Sequence, residues 1–139
     1  MNQPSLPVRR IEDADYVALA AFRAALRGFL RFSERRATAE GLTPQQHQTL
    51  LLIRAAPSPL SIGEIAEKLM LKANSASELV ERLEMAGLVQ RKAAADDRRR
   101  METRLTGKAE AILAALSTAH RDELRRMRPL LKELLDRLD

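Results

Sequence analysis

The sequence predicts a mainly α-helical protein with one small β-hairpin. Ala, Leu, Arg and Glu are frequent and aromatic side chains make up 3% of the chain, a composition that favours helices over sheets. Apolar residues recur at three- and four-residue spacing through most of the sequence, whereas residues 88–105 contain short runs of alternating apolar and polar side chains. A length of 139 residues with 45% hydrophobic content predicts a single domain, 1–139, with its own core.

Cysteine content, hydropathy and charge narrow the classes of function. The chain has no cysteine, which excludes disulfides, thiol nucleophiles and thiolate metal sites. No apolar run approaches the roughly 18 to 20 residues of a membrane span, and residues 1–16 lack the apolar run of a signal peptide. We therefore expect a cytoplasmic protein without membrane contact. The formal net charge of +5 permits a polyanionic partner without requiring one.

Helix-start signals divide the first half of the chain. A long helix is predicted over residues 12–39 from its apolar spacing. A second helix is expected to begin at Thr43, because Pro44 suits the first helical position and Gln46 completes a capping box. Another capping box at Ser61 opens a third, short helix.

A fourth helix and a long C-terminal helical region complete the prediction. The fourth helix ends at Gly87, which occupies the position of a helix C-cap. Helical spacing of apolar residues returns at Thr106. We expect Pro129 to interrupt this region, because proline lacks an amide hydrogen and crowds the preceding turn. The sequence therefore predicts six helices.

The predicted hairpin, residues 88–105, is the most basic part of the chain. Its cations are Arg91, Lys92, Arg98, Arg99, Arg100 and Arg104. Three of the arginines are consecutive at the tip, where their side chains could reach phosphates or a narrow minor groove. A charge run is more often only a solvated surface, so this feature alone does not decide the function.

Three short helices followed by a basic hairpin is the element order of a winged helix-turn-helix, which places the fourth helix in the major groove of DNA. Polar side chains on that helix could read base edges or bind phosphates: Lys72, Asn74, Ser75, Ser77, Glu78 and Arg82. Glu78 is unfavourable near phosphates, although it could accept a hydrogen bond from cytosine or pair with Arg82. An ordinary amphipathic surface helix is one alternative. A winged helix that acts as a protein-interaction module without specific DNA binding is another.

Residues 42–106 contain several distinctive passages. The most specific are Leu-Glu-x-x-Gly-Leu-Val-x-Arg at 83–91 and Asp-Arg-Arg at 97–99, followed by Leu-Thr-Gly at 105–107. In these passages the segment resembles the multiple antibiotic resistance regulator (MarR) family of bacterial transcription factors. The resemblance implies a DNA-binding transcription regulator, most often a repressor, on a pseudopalindromic operator in double-stranded DNA. It also implies a homodimer: residues 1–40 and 106–139 contain the dimerisation helices, and 41–105 form the winged-helix lobe.

The resemblance assigns roles within the wing. Asp97 is expected to hold the wing through an ion pair, and Arg99 matches the arginine that reaches toward the minor groove. Arg98 and Arg100 are expected to contact phosphates, and Arg91 and Lys92 complete the predicted DNA-binding set.

One position departs from the family pattern. Relatives commonly begin the recognition helix with a Ser or Thr cap, but Lys72 occupies that position. We therefore expect this helix to begin instead at Asn74 or at Ser75, which forms a Ser-x-x-Glu box with Glu78.

Leucines near the C-terminus favour a homodimer independently of the resemblance. They cover more than one face of a short helix, which a monomer would struggle to bury: Leu130, Leu131, Leu134, Leu135 and Leu138. The alternative is that they pack against the first helix of the same chain.

Many relatives change their DNA affinity when a small, often aromatic or acidic effector binds. His47 and Phe22 are weak candidates for such a site. A lone histidine on a helix, such as His47, is more often a structural hydrogen-bonding group.

The sequence contains no catalytic motif, so we predict neither an enzyme nor a cofactor. Its two histidines form no H-E-x-x-H pair and its five glycines form no phosphate-binding loop. Asp96 and Asp97 could suggest a metal site, but the three arginines that follow would repel a cation.

Overall fold

The computed structural model describes residues 9–138 and divides them between two compact units. One unit contains residues 9–32 and 121–138, and the other is Ser33–His120. The predicted short helices and the hairpin all lie in the second unit.

The described residues form five helices and three strands. Their order is α1 Asp13–Ala39, α2 Pro44–Ala55, β1 Leu60–Ser61, α3 Ile62–Leu69, α4 Ala73–Met85, β2 Val89–Ala93, β3 Met101–Leu105 and α5 Gly107–Arg137. The strands make one antiparallel sheet in the order β1-β3-β2. This confirms the predicted mainly helical fold with a hairpin wing and adds β1, which is too short to produce a detectable alternation.

The prediction of six helices is wrong, because α5 continues through Pro129. A proline inside a helix removes one hydrogen bond and crowds the carbonyl four residues earlier, at a cost of about 3 kcal/mol. Its fixed φ is nevertheless compatible with a helix. Beyond the proline, Leu134 is only 4% exposed, and burial of such a side chain recovers part of that cost.

The predicted cap at Thr43 forms as a complete capping box. The Thr43 hydroxyl accepts from the Gln46 amide at 3.1 Å, and the Gln46 side chain accepts from the Thr43 amide at 3.0 Å. At α3 the Ser61 hydroxyl likewise accepts a hydrogen bond from the Glu64 amide. The Glu64 carboxylate, however, accepts from the Ser61 hydroxyl and not from the Ser61 amide, so the predicted capping box is incomplete. The carboxylate of Glu64 therefore stays next to the start of α3.

The core of the unit Ser33–His120 consists of the inward faces of its helices and sheet. Leu50 of α2, Ile65 of α3, and Val80 and Leu83 of α4 are fully buried and belong to one apolar cluster. Val89 of β2 packs in the same cluster. Because each short helix buries one apolar stripe in the core, its opposite side faces away from the core.

The sheet attaches the hairpin to this core. β2 and β3 pair from Val89 opposite Leu105 to Ala93 opposite Met101, which confirms the hairpin predicted over 88–105. On the other edge β1 pairs with β3, and the buried Thr103 hydroxyl donates to the Leu60 carbonyl at 2.8 Å.

Replacing Thr103 with Val should lower the free energy of unfolding by about 1–3 kcal/mol, since a buried hydrogen bond is lost at nearly constant volume. Chemical denaturation measures this change. In the control Thr118→Val, an exposed hydroxyl that bonds to Ala114 is removed, and we expect a change below about 0.5 kcal/mol. Equal losses in the two variants would contradict a special role for Thr103.

Candidate nucleic-acid interface

A tight turn joins α3 to α4. Met70 ends α3 in the left-handed conformation, with φ 54° and ψ 42°, and its side chain is 92% exposed. The next amide, of Leu71, donates to the Ala66 carbonyl at 2.8 Å. A left-handed residue other than glycine costs roughly 1–2 kcal/mol, so Met70 stores strain at the turn of the helix-turn-helix.

The start of α4 differs from the expectation. The helix begins at Ala73 after Lys72, whose side chain forms no capping hydrogen bond, and not at Asn74 or Ser75. The Asn74 side chain accepts from the Ser75 amide at 3.1 Å. Ser75 already lies inside the first turn, which is why it cannot serve as the cap.

The inward stripe of α4 determines which of its side chains face outward. Ala76, Leu79, Val80 and Leu83 are buried, so the remaining positions lie on the opposite side and along its edges. The predicted DNA-binding residues of the α4 segment are all among them. Ser77 is half-buried, and the exposed members are Lys72, Asn74, Ser75, Glu78 and Arg82.

Backbone hydrogen bonds shape the tip of the wing. The Asp97 carboxylate accepts from the Arg99 amide at 2.9 Å, and the Asp97 carbonyl accepts from the Arg100 amide at 3.1 Å. Within residues 9–138, the ion pairs do not include one at Asp97. Asp97 thus stabilises the turn by accepting a hydrogen bond from the backbone amide two residues later, which is a common role of aspartate in turns. It does not do so through the expected ion pair.

Two of the predicted DNA contacts are bound within the protein. Arg91 of β2 donates from Nε and Nη2 to the two carboxylate oxygens of Glu84, at 3.1 and 2.9 Å. This hydrogen bonding lowers the pKa of Glu84. Arg100, just before β3, forms an ion pair with Glu64 of α3. The sequence analysis missed both partners.

The remaining predicted cations are exposed. They form no ion pair with any other residue of the described range: Lys72, Arg82, Lys92, Arg98 and Arg99. Three of them belong to the hairpin and two to the α4 segment. The surface formed by the outward side of α4 and the wing therefore combines polar groups with cations that have no carboxylate partner.

Comparisons with known proteins agree with this architecture. Residues 40–100 match the model of the MarR family. The matched range contains α2, α3, α4 and the first strand of the wing.

Solved MarR-type structures share the fold across most of the chain. A Staphylococcus aureus MepR–DNA complex is 25% identical, with a TM-score of 0.66, and the match covers 85% of this chain and 98% of that one. AbsC, a MarR family transcriptional regulator from Streptomyces coelicolor, is 21% identical with a TM-score of 0.70, covering 93% and 90%. YusO from Bacillus subtilis is 20% identical with a TM-score of 0.70, covering 92% of each chain. A comparison with curated protein sequences finds no match.

The two candidate effector residues lie in different units of the chain. Phe22 belongs to the unit of residues 9–32 and 121–138, where it is 38% exposed. His47 is only 7% exposed in the unit Ser33–His120, with its ring centroid 4.9 Å from that of His120. The His120 ring lies within hydrogen-bond distance of Leu116 O and Ser33 Oγ, at 2.6 and 2.7 Å. His47 is therefore part of a packed histidine pair, a contact the sequence did not reveal.

Residues 9–138 contain no group of three or more His, Asp or Glu side chains arranged to hold a metal ion. None of their helices has the length and hydropathy to span a bilayer.

Acid should destabilise the protein through His47. Burial, and secondarily the charge of His120, holds the pKa of His47 below its ordinary value of 6.5. As the pH falls through this value the unfolded chain takes up a proton before the folded chain does, so the stability contributed by neutral His47 is lost. His47→Leu should flatten the fall of Tm between pH 8 and pH 5, measured by circular dichroism.

The matched control is Gln48→Leu at the exposed neighbouring position, which should keep the pH dependence of the parent. Parallel curves for the parent and His47→Leu would show that His47 does not carry the effect.

Proposed function

We propose that the protein is a homodimeric transcription regulator that binds double-stranded DNA sequence-specifically through α4 and the wing. The main support is that one compact unit presents an outward polar helix together with an exposed cationic hairpin. The match of residues 40–100 to the MarR family model adds to this, as does the likeness of the chain to MepR, which has been solved bound to DNA.

The outward side of α4 would enter the major groove. Asn74 carries an amide and Ser75 a hydroxyl, and these groups can hydrogen-bond to base edges or phosphates. Glu78 can accept from the amino group of cytosine, which would make it a specificity residue. Lys72 and Arg82 would contact phosphates and fix the register of the helix.

The wing would supply much of the electrostatic attraction. Arg98 and Arg99 are exposed at its tip and Lys92 on β2. A tip arginine in a narrow minor groove meets an enhanced negative potential. We assign this position to Arg99 and phosphate contacts to Arg98 and Lys92.

A dimer would place two such surfaces on a pseudopalindromic operator, with half-sites about one helical turn apart. The unit of residues 9–32 and 121–138 carries exposed apolar side chains on α1 and α5 and just outside their ends, which a second copy could bury: Ile11, Tyr16, Val17, Leu19, Phe22, Leu26, Leu30, Leu124, Leu130, Leu135 and Leu138. We propose that the bound dimer represses transcription. Gating by a small effector stays a prediction.

A protein-interaction module is the second candidate function. It is favoured by Glu78 and Glu81, two exposed carboxylates on the outward side of α4 that would be repelled by phosphates. Such a module would show little salt-dependent binding to duplex DNA.

We expect the purified protein to bind random-sequence duplex DNA with an affinity that falls as salt rises, and to select two related half-sites from a duplex library. Arg99→Ala should reduce the slope of log affinity against log salt by about one, because a cation in the minor groove also displaces a counterion from the duplex. Fluorescence anisotropy at several salt concentrations measures the slope. A reporter promoter containing the selected site should be repressed.

Arg125→Ala is the matched control. It removes the same charge from an exposed position of α5 and should leave the slope unchanged. A parent protein without salt-dependent duplex binding would support the protein-interaction module. An Arg99→Ala variant with the parent slope would refute the role of Arg99.

The proposed dimer can be tested separately. Leu135 of α5 is 58% exposed, and Leu135→Glu would place a charge in the proposed apolar interface. We expect its dimer dissociation constant to rise at least about tenfold in analytical ultracentrifugation, a cost above 1.4 kcal/mol. Leu51→Glu, at an exposed leucine of α2, should leave dimerisation intact. A parent that sediments as a monomer at every concentration would contradict the dimer.

A further inference from the structure

The first wing arginine is neutralised inside the protein. Arg91 and Glu84 meet in a two-pronged hydrogen-bonded pair, the geometry in which an arginine–carboxylate contact is strongest and most directional. Glu81 also acts on the charge of Arg91. The bonded Glu84 carboxylate therefore offsets the positive charge that Arg91 would otherwise offer a phosphate.

The second wing arginine is held by a carboxylate that is itself fixed. Glu64 binds Arg100 through the same oxygen that accepts the Ser61 hydroxyl. Ser61 caps α3, so the carboxylate is anchored to the start of that helix. Arg100 leads directly into β3.

Together the pairs hold the hairpin at two points. Arg91 connects β2 to the last turn of α4, while Arg100 connects the beginning of β3 to the first turn of α3. A two-stranded hairpin is marginally stable by itself. A contact to each strand would restrict how far the exposed tip can move relative to α4.

We infer that the pairs Glu84–Arg91 and Glu64–Arg100 fix the wing against the helix-turn-helix, and that these four residues position the tip for DNA without contacting it. This inference rests on the proposed function. A wing held in place before binding loses less conformational freedom on the duplex, which raises affinity. Arg91 and Arg100, which the sequence predicted as DNA contacts, are thereby assigned to positioning the wing instead.

Whether Glu84→Gln strengthens or weakens DNA binding distinguishes a positioning role of the pair from a direct contact between Arg91 and DNA. If Arg91 contacted DNA, removal of a neighbouring negative charge would tighten binding. If Glu84 holds the wing, the same change should weaken binding about threefold to tenfold despite the more favourable charge. Arg91→Ala should weaken binding to a similar extent while leaving the salt slope of the parent unchanged, unlike the loss of a phosphate contact.

The matched control is Glu81→Gln, which removes the same charge one turn away on α4 but breaks no hydrogen bond of Arg91. It should bind DNA at least as tightly as the parent. The double variant Glu84→Arg with Arg91→Glu should recover part of the lost affinity, because the pair is restored with its charges exchanged. Glu64→Gln tests the second pair in the same way. It is the variant to measure if Glu84→Gln does not fold.

Hydrogen exchange of the β2 and β3 amides provides a readout that needs no DNA. Exchange there should become faster in Glu84→Gln and stay unchanged in Glu81→Gln, with α2 as an internal reference. If the parent binds no duplex, the proposed function fails and exchange alone decides whether the pairs hold the wing. Unchanged exchange in Glu84→Gln and Glu64→Gln, or tighter DNA binding by Glu84→Gln, would overturn the inference.

Discussion

Burial of the apolar stripe of α4 is the constraint on which the rest of the candidate interface depends. Leu79, Val80 and Leu83 are directed into the core, where each contributes about 1.5–3 kcal/mol of transfer free energy. Rotating the helix to present a different side would expose all of them at once. The outward position of Asn74 and Glu78 therefore follows from hydrophobic burial and needs no interaction of their own.

The wing depends on a different balance, because it has little apolar surface to bury. Its inward contacts are Val89, Thr103 and Ala94, all buried, and its tip is held by polar interactions. In such a hairpin an arginine can either hold the strands in place through an ion pair or attract an anionic partner. A carboxylate nearby holds an arginine in place but cancels its attraction for an anion, so each arginine can serve well in only one of these roles.

Features set by local chemistry were predictable from the sequence, and those set by tertiary contacts were not. The Thr43 capping box and the hairpin depend on residues close in the chain, and both formed as expected. Pro129 was misjudged because local propensity ignores burial further along α5. The Glu84–Arg91 pair spans a helix end, a turn and a strand, so no periodicity rule relates its members, although both lie in the passage at 83–91 that carries the family resemblance. Glu64 and Arg100 are 36 positions apart, and their segments meet through the β1–β3 pairing and the packing of α3 against β3.

The distribution of charge implies a division of labour between α4 and the wing. The outward side of α4 carries Glu78 and Glu81 beside Arg82, so the helix has almost no net attraction for a polyanion. Its amide, hydroxyl and carboxylate groups instead suit discrimination among base edges. The hairpin presents exposed cations, which suit attraction that is independent of sequence. Under the proposed function, a helix that attracts DNA only weakly would depend on the wing to stay in the groove. Fixing the wing to both helices of the helix-turn-helix would then couple the part that attracts DNA to the part that reads it.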